Sequence, residues 1–333
     1  MRIVVSGTRG KSTLVRMLSF VLSIKHSVLS KVTGEKAVII RDGSEIPIHR
    51  RPRQRILENL PLLSEKVDFL ILENQTITPH TMRVFNRMVR PDVVVITNVR
   101  RDHTEFLGEK KEHIADCFGR SIQRGARMVL SGEHDDRLNE IIRRHAERMG
   151  AEFRVVRSSG DLPASELLSL TEFLSEYLLG YVPEERVRLL EKSLERMFSI
   201  RESKGVRFFD GSKINDPDSA DLVIRHLVKR YNDRFLLFCQ FRRDRRDRTS
   251  VFCDFLLRLP SRDRFRGIML AGHGAEAVAG KVGGEIVRSA GEVFEKVRSE
   301  NATLLMLVNR HAHPMSELVE ILGSSSALQL VSV

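Results

Sequence analysis

The chain has 333 residues, of which 41% are hydrophobic and 30% are charged, and its formal net charge is +11. This balance is typical of a globular protein of about two domains, and it excludes a chain that is disordered throughout. No apolar run approaches the roughly 18 residues of a membrane span, and the three widely spaced cysteines argue against a disulfide framework or a cysteine zinc site.

Apolar runs alternate with helical patterns through the first half of the chain. Five runs are predicted to be buried strands: 3–5, 69–72, 93–97, 128–130 and 153–156. Five periodic segments are predicted to be helices: 11–22, 56–63, 78–88, 110–122 and 135–149. This alternation predicts an α/β fold with a doubly wound, mainly parallel sheet. Within 34–52, Asp42-Gly43 separates two short runs, 36–40 and 45–48, and predicts a hairpin that interrupts the alternation.

Two helices are predicted next, over 164–179 and 183–196. Six further strands follow in the pattern: 206–210, 235–241, 267–270, 285–287, 303–308 and 328–333. The alternation therefore restarts, and it predicts a smaller Rossmann-like α/β domain. We expect the first domain to span 1–200 and the second to span 201–333.

The segment between the first strand and the first helix has the composition of a phosphate-binding loop. Its residues are Gly7, Thr8, Arg9, Gly10, Lys11, Ser12 and Thr13. Glycines let backbone N–H groups turn toward a phosphate, and the helix N-terminus adds positive potential. Lys11 supplies charge for the β- and γ-phosphates, and the Ser12 hydroxyl suits Mg²⁺. The alternative is a tight strand-to-helix turn, but the flanking strand and helix favour an ATP site.

Two other segments, together with the short GTxGKS loop, resemble the Mur ligase superfamily. Thr97–His103 (TNVRRDH) is similar to a signature of those enzymes, and Ile71–Glu73 is similar to the strand that ends in their magnesium-binding glutamate. The resemblance implies that Ser12 and Glu73 hold Mg²⁺ and that Glu73 and His103 serve a second Mg²⁺. We also expect Asp102 to orient the His103 ring and Asn98 to contact the nucleotide. When each residue is considered alone, other interpretations are equally good. Glu73 is then a helix cap or a surface acid, and His103 is a structured histidine of a loop.

Five blocks resemble, in order, the narrower PgsB/CapB family of poly-γ-glutamate synthase ligase subunits. They are 7–16 (GTRGKSTLVR), 31–34 (KVTG), 49–53 (HRRPR), 98–108 (NVRRDHTEFLG) and 242–249 (RRDRRDRT). The resemblance also implies that Asp210, Lys213 and Asn215, in the stretch DGSKIND, face the nucleotide or substrate, and that Arg196 is a hinge arginine that reaches the γ-phosphate. Many Mur ligases carry a carbamylated lysine that steadies the second magnesium ion, and residues 115–120 contain no lysine. Whether the second metal site is intact is therefore not decided by the sequence.

The basic run 242–248 has three interpretations. Arg242, Arg245 and Arg248 follow a predicted strand, and the planar guanidinium grips phosphate or carboxylate in a bidentate manner. Alternation of Arg with Asp also forms self-neutralised surface loops, and Arg-rich loops bind nucleic acid. We favour binding of substrate or nucleotide.

The resemblance implies an ATP- and Mg²⁺-dependent carboxylate–amine ligase that forms ADP and phosphate and adds glutamate in γ-linkage to an amino-acid or polyglutamate substrate. The alternatives are a Mur-type ligase with a folate or peptide acceptor, and a P-loop ATPase linked to nucleic acid through the net charge of +11; we expect no nucleic-acid partner.

Met1 leads directly into a predicted strand, so we expect a cytoplasmic protein without a signal peptide. The family also implies membrane-protein partner subunits that bring the protein to the membrane periphery. The sequence does not decide whether the chain forms a homo-oligomer.

Overall fold

The computed structural model of the protein describes residues 1–33, 37–48, 56–158 and 160–323. They form two units. The described residues of Met1–Gly160 and Ala164–Ser193 make up the first, and Asp161–Pro163 with the described residues from Leu194 onward make up the second. The predicted domain boundary at residue 200 stays a prediction.

The first unit contains an eight-stranded sheet in the order β4-β3-β2-β5-β1-β6-β7-β8. Its strands are β1 (Arg2–Ser6), β2 (Val28–Val32), β3 (Val38–Arg41), β4 (Ser44–Pro47), β5 (Phe69–Glu73), β6 (Val93–Ile96), β7 (Met128–Ser131) and β8 (Glu152–Val155). The pairs β2–β3 and β3–β4 are antiparallel, and the other neighbours are parallel. The predicted doubly wound sheet is therefore confirmed.

The hairpin predicted at Asp42-Gly43 is confirmed by β3 and β4, with both turn residues at positive φ. Part of its predicted range, 34–36 and 49–52, lies outside the described residues. Strand β2 was not predicted, because the polar residues Ser30 and Lys31 interrupt its apolar run although both are buried.

The first unit's helices are α1 (Lys11–Leu22), α2 (Pro79–Val89), α3 (Thr104–Leu107), α4 (Lys111–Ser121), α5 (Asp136–Arg148), α6 (Ser165–Leu179) and α7 (Glu184–Met197), the last of which runs into the second unit. The predicted helix over 56–63 is wrong. Two short 3₁₀ helices, Leu57–Asn59 and Pro61–Ser64, occupy that region. Pro61 has no N–H group to continue an α-helical ladder, and it begins the second 3₁₀ turn.

The second unit contains a six-stranded sheet in the order β13-β12-β11-β14-β10-β9. Its strands are β9 (Arg201–Ser203), β10 (Val206–Gly211), β11 (Phe235–Phe241), β12 (Phe265–Gly272), β13 (Glu285–Ile286) and β14 (Thr303–Leu307). Only β9, which was not predicted, is antiparallel to its neighbour among these strands. The strand predicted over 328–333 lies outside the described residues.

Helices α8 (Pro217–Arg230), α9 (Arg246–Leu257), α10 (Ala275–Val282), α11 (Ala290–Ser299) and α12 (Met315–Ile321) cover the second sheet. Apolar clusters lie on both of its faces, one of them containing Phe209 and Phe252 and the other Phe208 and Phe238. Burial on both faces explains why these strands are continuous apolar runs.

The first sheet determines where the predicted site residues lie. Parallel strands β1, β5 and β6 are neighbours, and their carboxyl ends reach the same edge of the sheet. Ligands bind at this edge in doubly wound sheets. In the part of the chain that is described, no helix is both long and apolar enough to cross a bilayer.

Candidate functional site

The loop between β1 and α1 has a backbone that only glycine adopts easily. Gly7 has a φ of +114°, and a Cβ there would overlap the Thr97 hydroxyl and lie 2.8 Å from the Thr97 nitrogen. Gly10 has a φ of +80°, and a Cβ there would lie 2.9 Å from the Leu167 side chain. The loop is therefore a close-packed backbone cradle that a larger residue would fill.

Lys11 is the first residue of α1, and its ammonium group turns back over the loop. Its Nζ donates to the carbonyl oxygens of Gly7, at 2.8 Å, and Thr8, at 3.1 Å. Desolvation lowers the pKa of Lys11, and the charge of Arg9 lowers it further, while Glu73 and Asp102 act in the opposite direction. The Lys11 ammonium group is thus held at the loop by carbonyl groups, with the Glu73 and Asp102 carboxylates near it.

Ser12 and Glu73 meet beside the loop. The Ser12 hydroxyl lies 3.0 Å from both Glu73 carboxylate oxygens, and the backbone N–H of Thr33 donates to Glu73 Oε2 at 2.6 Å. Glu73 is the buried last residue of β5. A hydroxyl and a carboxylate are the oxygen ligands that Mg²⁺ prefers, so this pair fits the predicted metal.

The described residues contain no group of three or more His, Cys, Asp or Glu side chains that could hold a metal ion. A magnesium ion at Ser12 and Glu73 would therefore depend on further oxygen ligands from phosphate groups or water. The role of His103 in a second metal site stays a prediction.

His103 lies beside Asp102. Its Nε2 is 3.6 Å from Asp102 Oδ2, and the same oxygen forms an ion pair of 2.7 Å with the Arg9 guanidinium. His103 has a φ of +52° and occupies the position just before α3. The Asp102 carboxylate thus lies close to both the phosphate loop and His103. Its role in orienting the His103 ring stays a prediction.

Asn98 and Thr97, which follow β6, hold the phosphate loop. The Thr8 N–H donates to the Asn98 carbonyl, and the Arg9 N–H donates to Asn98 Oδ1, both at 3.0 Å. The Thr97 hydroxyl donates to the Arg9 carbonyl at 2.6 Å. Asn98, predicted to contact the nucleotide, therefore has its amide against the loop backbone. The contribution of Thr97 was missed, although its place at a strand end was a usable signal.

In the second unit, Asp210 is engaged within the protein. Its carboxylate accepts hydrogen bonds from the backbone and hydroxyl of Ser212, and it forms an ion pair of 2.6 Å with Arg310. The side chain of Asp210 is fully buried, and that of Arg310 is 13% exposed. Arg310 follows β14. The predicted contact of Asp210 with the nucleotide stays a prediction.

Asn215 and Arg248 converge on Asn309, which also follows β14. The Asn309 N–H donates to Asn215 Oδ1 at 2.9 Å, its amide donates to the Gln240 carbonyl at 2.8 Å, and Arg248 donates to its Oδ1 at 3.3 Å. Both Val308 and Asn309 have positive φ values, 71° and 57°. Strained backbone of this kind clusters at functional sites, so this edge is the candidate binding edge of the second unit.

Four predicted basic residues lie at the surface or in a loop. Arg242 forms a two-pronged ion pair with Asp244, with distances of 2.9 and 2.7 Å, which is the self-neutralised arrangement considered above. Arg245 directly precedes α9, and Lys213 is exposed in the loop after β10. Arg196 is exposed in the last turn of α7.

Two protein-family models match successive parts of the chain. Residues 5–161 match the Mur ligase middle domain, and residues 197–327 match the poly-gamma-glutamate synthase CapB C-terminal domain. The first match contains the phosphate loop, Glu73 and His103, and the second contains Asp210, Arg248 and Asn309.

Curated relatives agree with these matches. The capsule biosynthesis protein CapB of Bacillus anthracis is 28% identical over 278 residues, which are 75% of this chain and 59% of that protein. The PGA synthase CapB of Bacillus subtilis is 25% identical over 167 residues, or 47% of this chain and 42% of that protein. The matched region thus spans about half the length of these relatives.

Solved structures share the fold. A folylpolyglutamate synthase from Thermotoga maritima has a TM-score of 0.62 and 15% identity, covering 97% of this chain and 89% of that one. MurF from Acinetobacter baumannii has a TM-score of 0.69 and 15% identity, covering 97% and 76%. At this level of identity the likeness concerns the fold alone.

Proposed function

The chain carries a Mur ligase middle domain followed by a poly-gamma-glutamate synthase CapB C-terminal domain, and from this premise we propose that it is an ATP-dependent carboxylate–amine ligase. The observation that supports the proposal most directly is the group around the glycine loop. Lys11 is positioned for phosphate, and Ser12 and Glu73 form an oxygen pair for a magnesium ion.

In the proposed reaction, a carboxylate oxygen of the acceptor attacks the γ-phosphorus of ATP. The bond to the β-phosphate oxygen breaks, ADP leaves and an acyl phosphate forms. The amine of the incoming amino acid then attacks the acyl carbon, the bond to phosphate breaks, and the nitrogen loses a proton. The products are an amide, ADP and inorganic phosphate.

The chain's residues contribute mainly position and charge. Lys11 neutralises phosphate charge, and the fixed loop peptides orient the triphosphate without reorganising during the reaction. A magnesium ion held by Ser12 and Glu73 would neutralise charge on the β- and γ-phosphate oxygens. Asp102 would fix the orientation of His103 near the same edge.

The proposed amino acid is glutamate, and the proposed acceptor is a glutamate or polyglutamate carboxylate that is extended in γ-linkage. The family matching residues 197–327 and the relatives named as CapB support this choice. We also propose that partner subunits, some of them membrane proteins, complete the system.

The proposal is tested by measuring ADP release from ATP and Mg²⁺ with candidate acceptors and amines, alone and in pairs, followed by mass analysis of the product. We expect ADP release that requires both a carboxylate acceptor and an amine, with a product larger by one glutamate residue for each ADP. A reaction with no dependence on an acceptor–amine pair would contradict the proposal.

The same assay separates the alternatives. Stimulation by DNA or RNA, with a steep loss at higher salt, would indicate an ATPase linked to nucleic acid. Stimulation only by a folate or a peptide would indicate a ligase with a different acceptor. Polyglutamates of increasing length then identify the preferred acceptor size.

A further inference from the structure

The first turn of α6 packs beneath the phosphate loop. The Leu167 side chain occupies the space beside Gly10, and the Thr171 hydroxyl, one turn later, lies 3.8 Å from the sulfur of Met17 in α1. Glu166 precedes Leu167 and is only 6% exposed. A buried carboxylate is costly unless it is paired and hydrogen-bonded, so its partners indicate its role.

Glu166 binds two side chains of the segment that follows β6. Its Oε1 accepts from Asn98 Nδ2 at 3.1 Å and from the Arg100 guanidinium at 2.9 Å. An ionised carboxylate only accepts hydrogen bonds. Asn98 must therefore present its NH₂ group to Glu166, and its Oδ1 consequently faces the Arg9 N–H, which lies at 3.0 Å. The carboxylate thus sets the orientation of the Asn98 amide.

That amide orientation holds one peptide of the phosphate loop. The Arg9 carbonyl accepts from the Thr97 hydroxyl at 2.6 Å and from Asn98 Nδ2 at 3.2 Å. In a trans peptide the carbonyl and the following N–H point in opposite directions. Because the Arg9 carbonyl faces Thr97 and Asn98, the Gly10 N–H is aimed away from them.

We propose that Glu166 is a positioning residue for nucleotide binding, acting through Asn98 on the Arg9–Gly10 peptide. This inference rests on the proposed function in one respect, namely that the loop binds the phosphates of ATP. The contacts from Glu166 through Asn98 to the Arg9–Gly10 peptide, which we call the clamp, concern only the orientation of the loop. The clamp can therefore be tested without a nucleotide.

The test measures two quantities on the full chain: the Kd for ATP by calorimetry, and the exchange rate of the Arg9 amide hydrogen by NMR without nucleotide. We expect Glu166→Ala to weaken ATP binding about tenfold, in line with loss of a charge-assisted hydrogen bond, and to accelerate Arg9 exchange. Glu176→Gln, at an exposed position of the same helix, is the matched control and should change neither.

A double variant that swaps the acid and the amide between positions 98 and 166 distinguishes a positioning role from general support of the fold. Asn98→Asp places two carboxylates together and should weaken ATP binding. Adding Glu166→Gln supplies an amide that donates to the carboxylate introduced by Asn98→Asp, whose other oxygen still accepts from the Arg9 N–H. The bond from residue 98 to the Arg9 carbonyl is not restored, so the double variant should recover part of the affinity that Asn98→Asp loses. A residue that only stabilises the fold would lower the melting temperature without this recovery.

The outcomes separate the two proposals. Unchanged Arg9 exchange and unchanged Kd in folded Glu166→Ala, or a double variant that binds no better than Asn98→Asp, would overturn the positioning role. If the wild-type chain does not bind ATP, the proposed function fails and the nucleotide role of Glu166 fails with it, while Arg9 exchange still decides whether the clamp exists.

Discussion

The carboxyl edge of the first sheet combines a glycine loop with side-chain pairs such as Arg9–Asp102, whereas the corresponding edge of the second sheet is held mainly by side-chain pairs. At the first edge, Gly7 and Gly10 allow a close-packed loop, and Lys11 donates to loop carbonyls. At the second edge, Asp210 is paired with Arg310, and Arg242 is paired with Asp244.

This difference explains why the two edges were predicted with unequal detail. A glycine that must adopt positive φ beside another backbone leaves a local signal, since its neighbours in the sequence form the turn. An ion pair between residues 100 positions apart, such as Asp210 and Arg310, leaves none. The following experiments test whether the first edge depends on its loop and the second on its internal pairs.

Replacement of Lys11 should have the largest effect. Lys11→Ala removes the cation held at the loop, and we expect a loss of about 10³-fold in kcat/KM for ADP formation, as for loss of a preorganised charged donor. Lys66→Ala, at an exposed position of the same unit, should be nearly neutral. Full activity of Lys11→Ala would exclude the loop as the phosphate site.

Breaking the buried pair of the second edge should be the next largest effect. Arg310→Leu leaves the Asp210 carboxylate buried without its cation, which typically costs about 3 kcal/mol. Hydrogen exchange across β10 should report local destabilisation of that size. Arg207→Leu is the matched control, since its pair with Asp233 is half-exposed on the Arg207 side and should contribute below about 1 kcal/mol.

The same variant also tests the predicted role of Asp210. If Arg310→Leu leaves the exchange of β10 unchanged but weakens ATP binding, Asp210 and Arg310 act on the nucleotide rather than on the fold. That result would show that the second edge, like the first, acts in nucleotide binding.

A methyl group in the loop should have a somewhat smaller effect. Gly7→Ala places a Cβ against Thr97 in a strained backbone, and a loop displaced by about 1 Å should lose about 10²-fold in activity. Gly125→Ala is the control, because Gly125 also has positive φ but a Cβ there would meet no atom within 4 Å. Equal losses in the two variants would show that backbone strain, and not the cradle, is responsible.

Much of the fold follows from the sequence because its signals are local. The strands of both sheets were predicted wherever the run was continuously apolar, and the Asp42-Gly43 hairpin was predicted from its turn residues. Strand β2 was missed because Lys31 lies in it. That side chain is buried through bonds to Glu58 and Asn59, which only the folded chain brings near.

The same limit applies to the site. Lys11, Ser12 and Glu73 were predicted, and the structure brings them together. Glu166 was not, because an acidic residue in a first helical turn is common for electrostatic reasons alone. Its partners Asn98 and Arg100 are more than 60 residues away, so its role depends on packing that no local pattern encodes.

The titration of Lys11 offers a finer distinction between the edges. Burial lowers its pKa below the ordinary 10.5, so the free protein loses this charge at a lower pH than an exposed lysine does. Since phosphate binds the charged form, ATP affinity should decline as pH rises through this lowered pKa, by up to tenfold per pH unit. Kd measured over a range of pH that ends at the ordinary 10.5 checks this, and Lys11→Arg should remove the decline because arginine stays charged.

An equal decline in the wild type and in Lys11→Arg would assign the titration to another group.

Replacement of Arg242 should give the smallest effect. Its pair with Asp244 is exposed on both sides, and removing such a pair usually changes the free energy of unfolding by less than about 1 kcal/mol. Because the fold does not depend on it, a change in KM for the amino-acid substrate measures the predicted substrate role directly, and we expect Arg242→Ala to raise that KM about threefold. An unchanged KM would leave Arg242 as a surface ion pair, and the pair of Arg248 and Asn309, which are hydrogen-bonded to each other, would be the next to replace at the second edge.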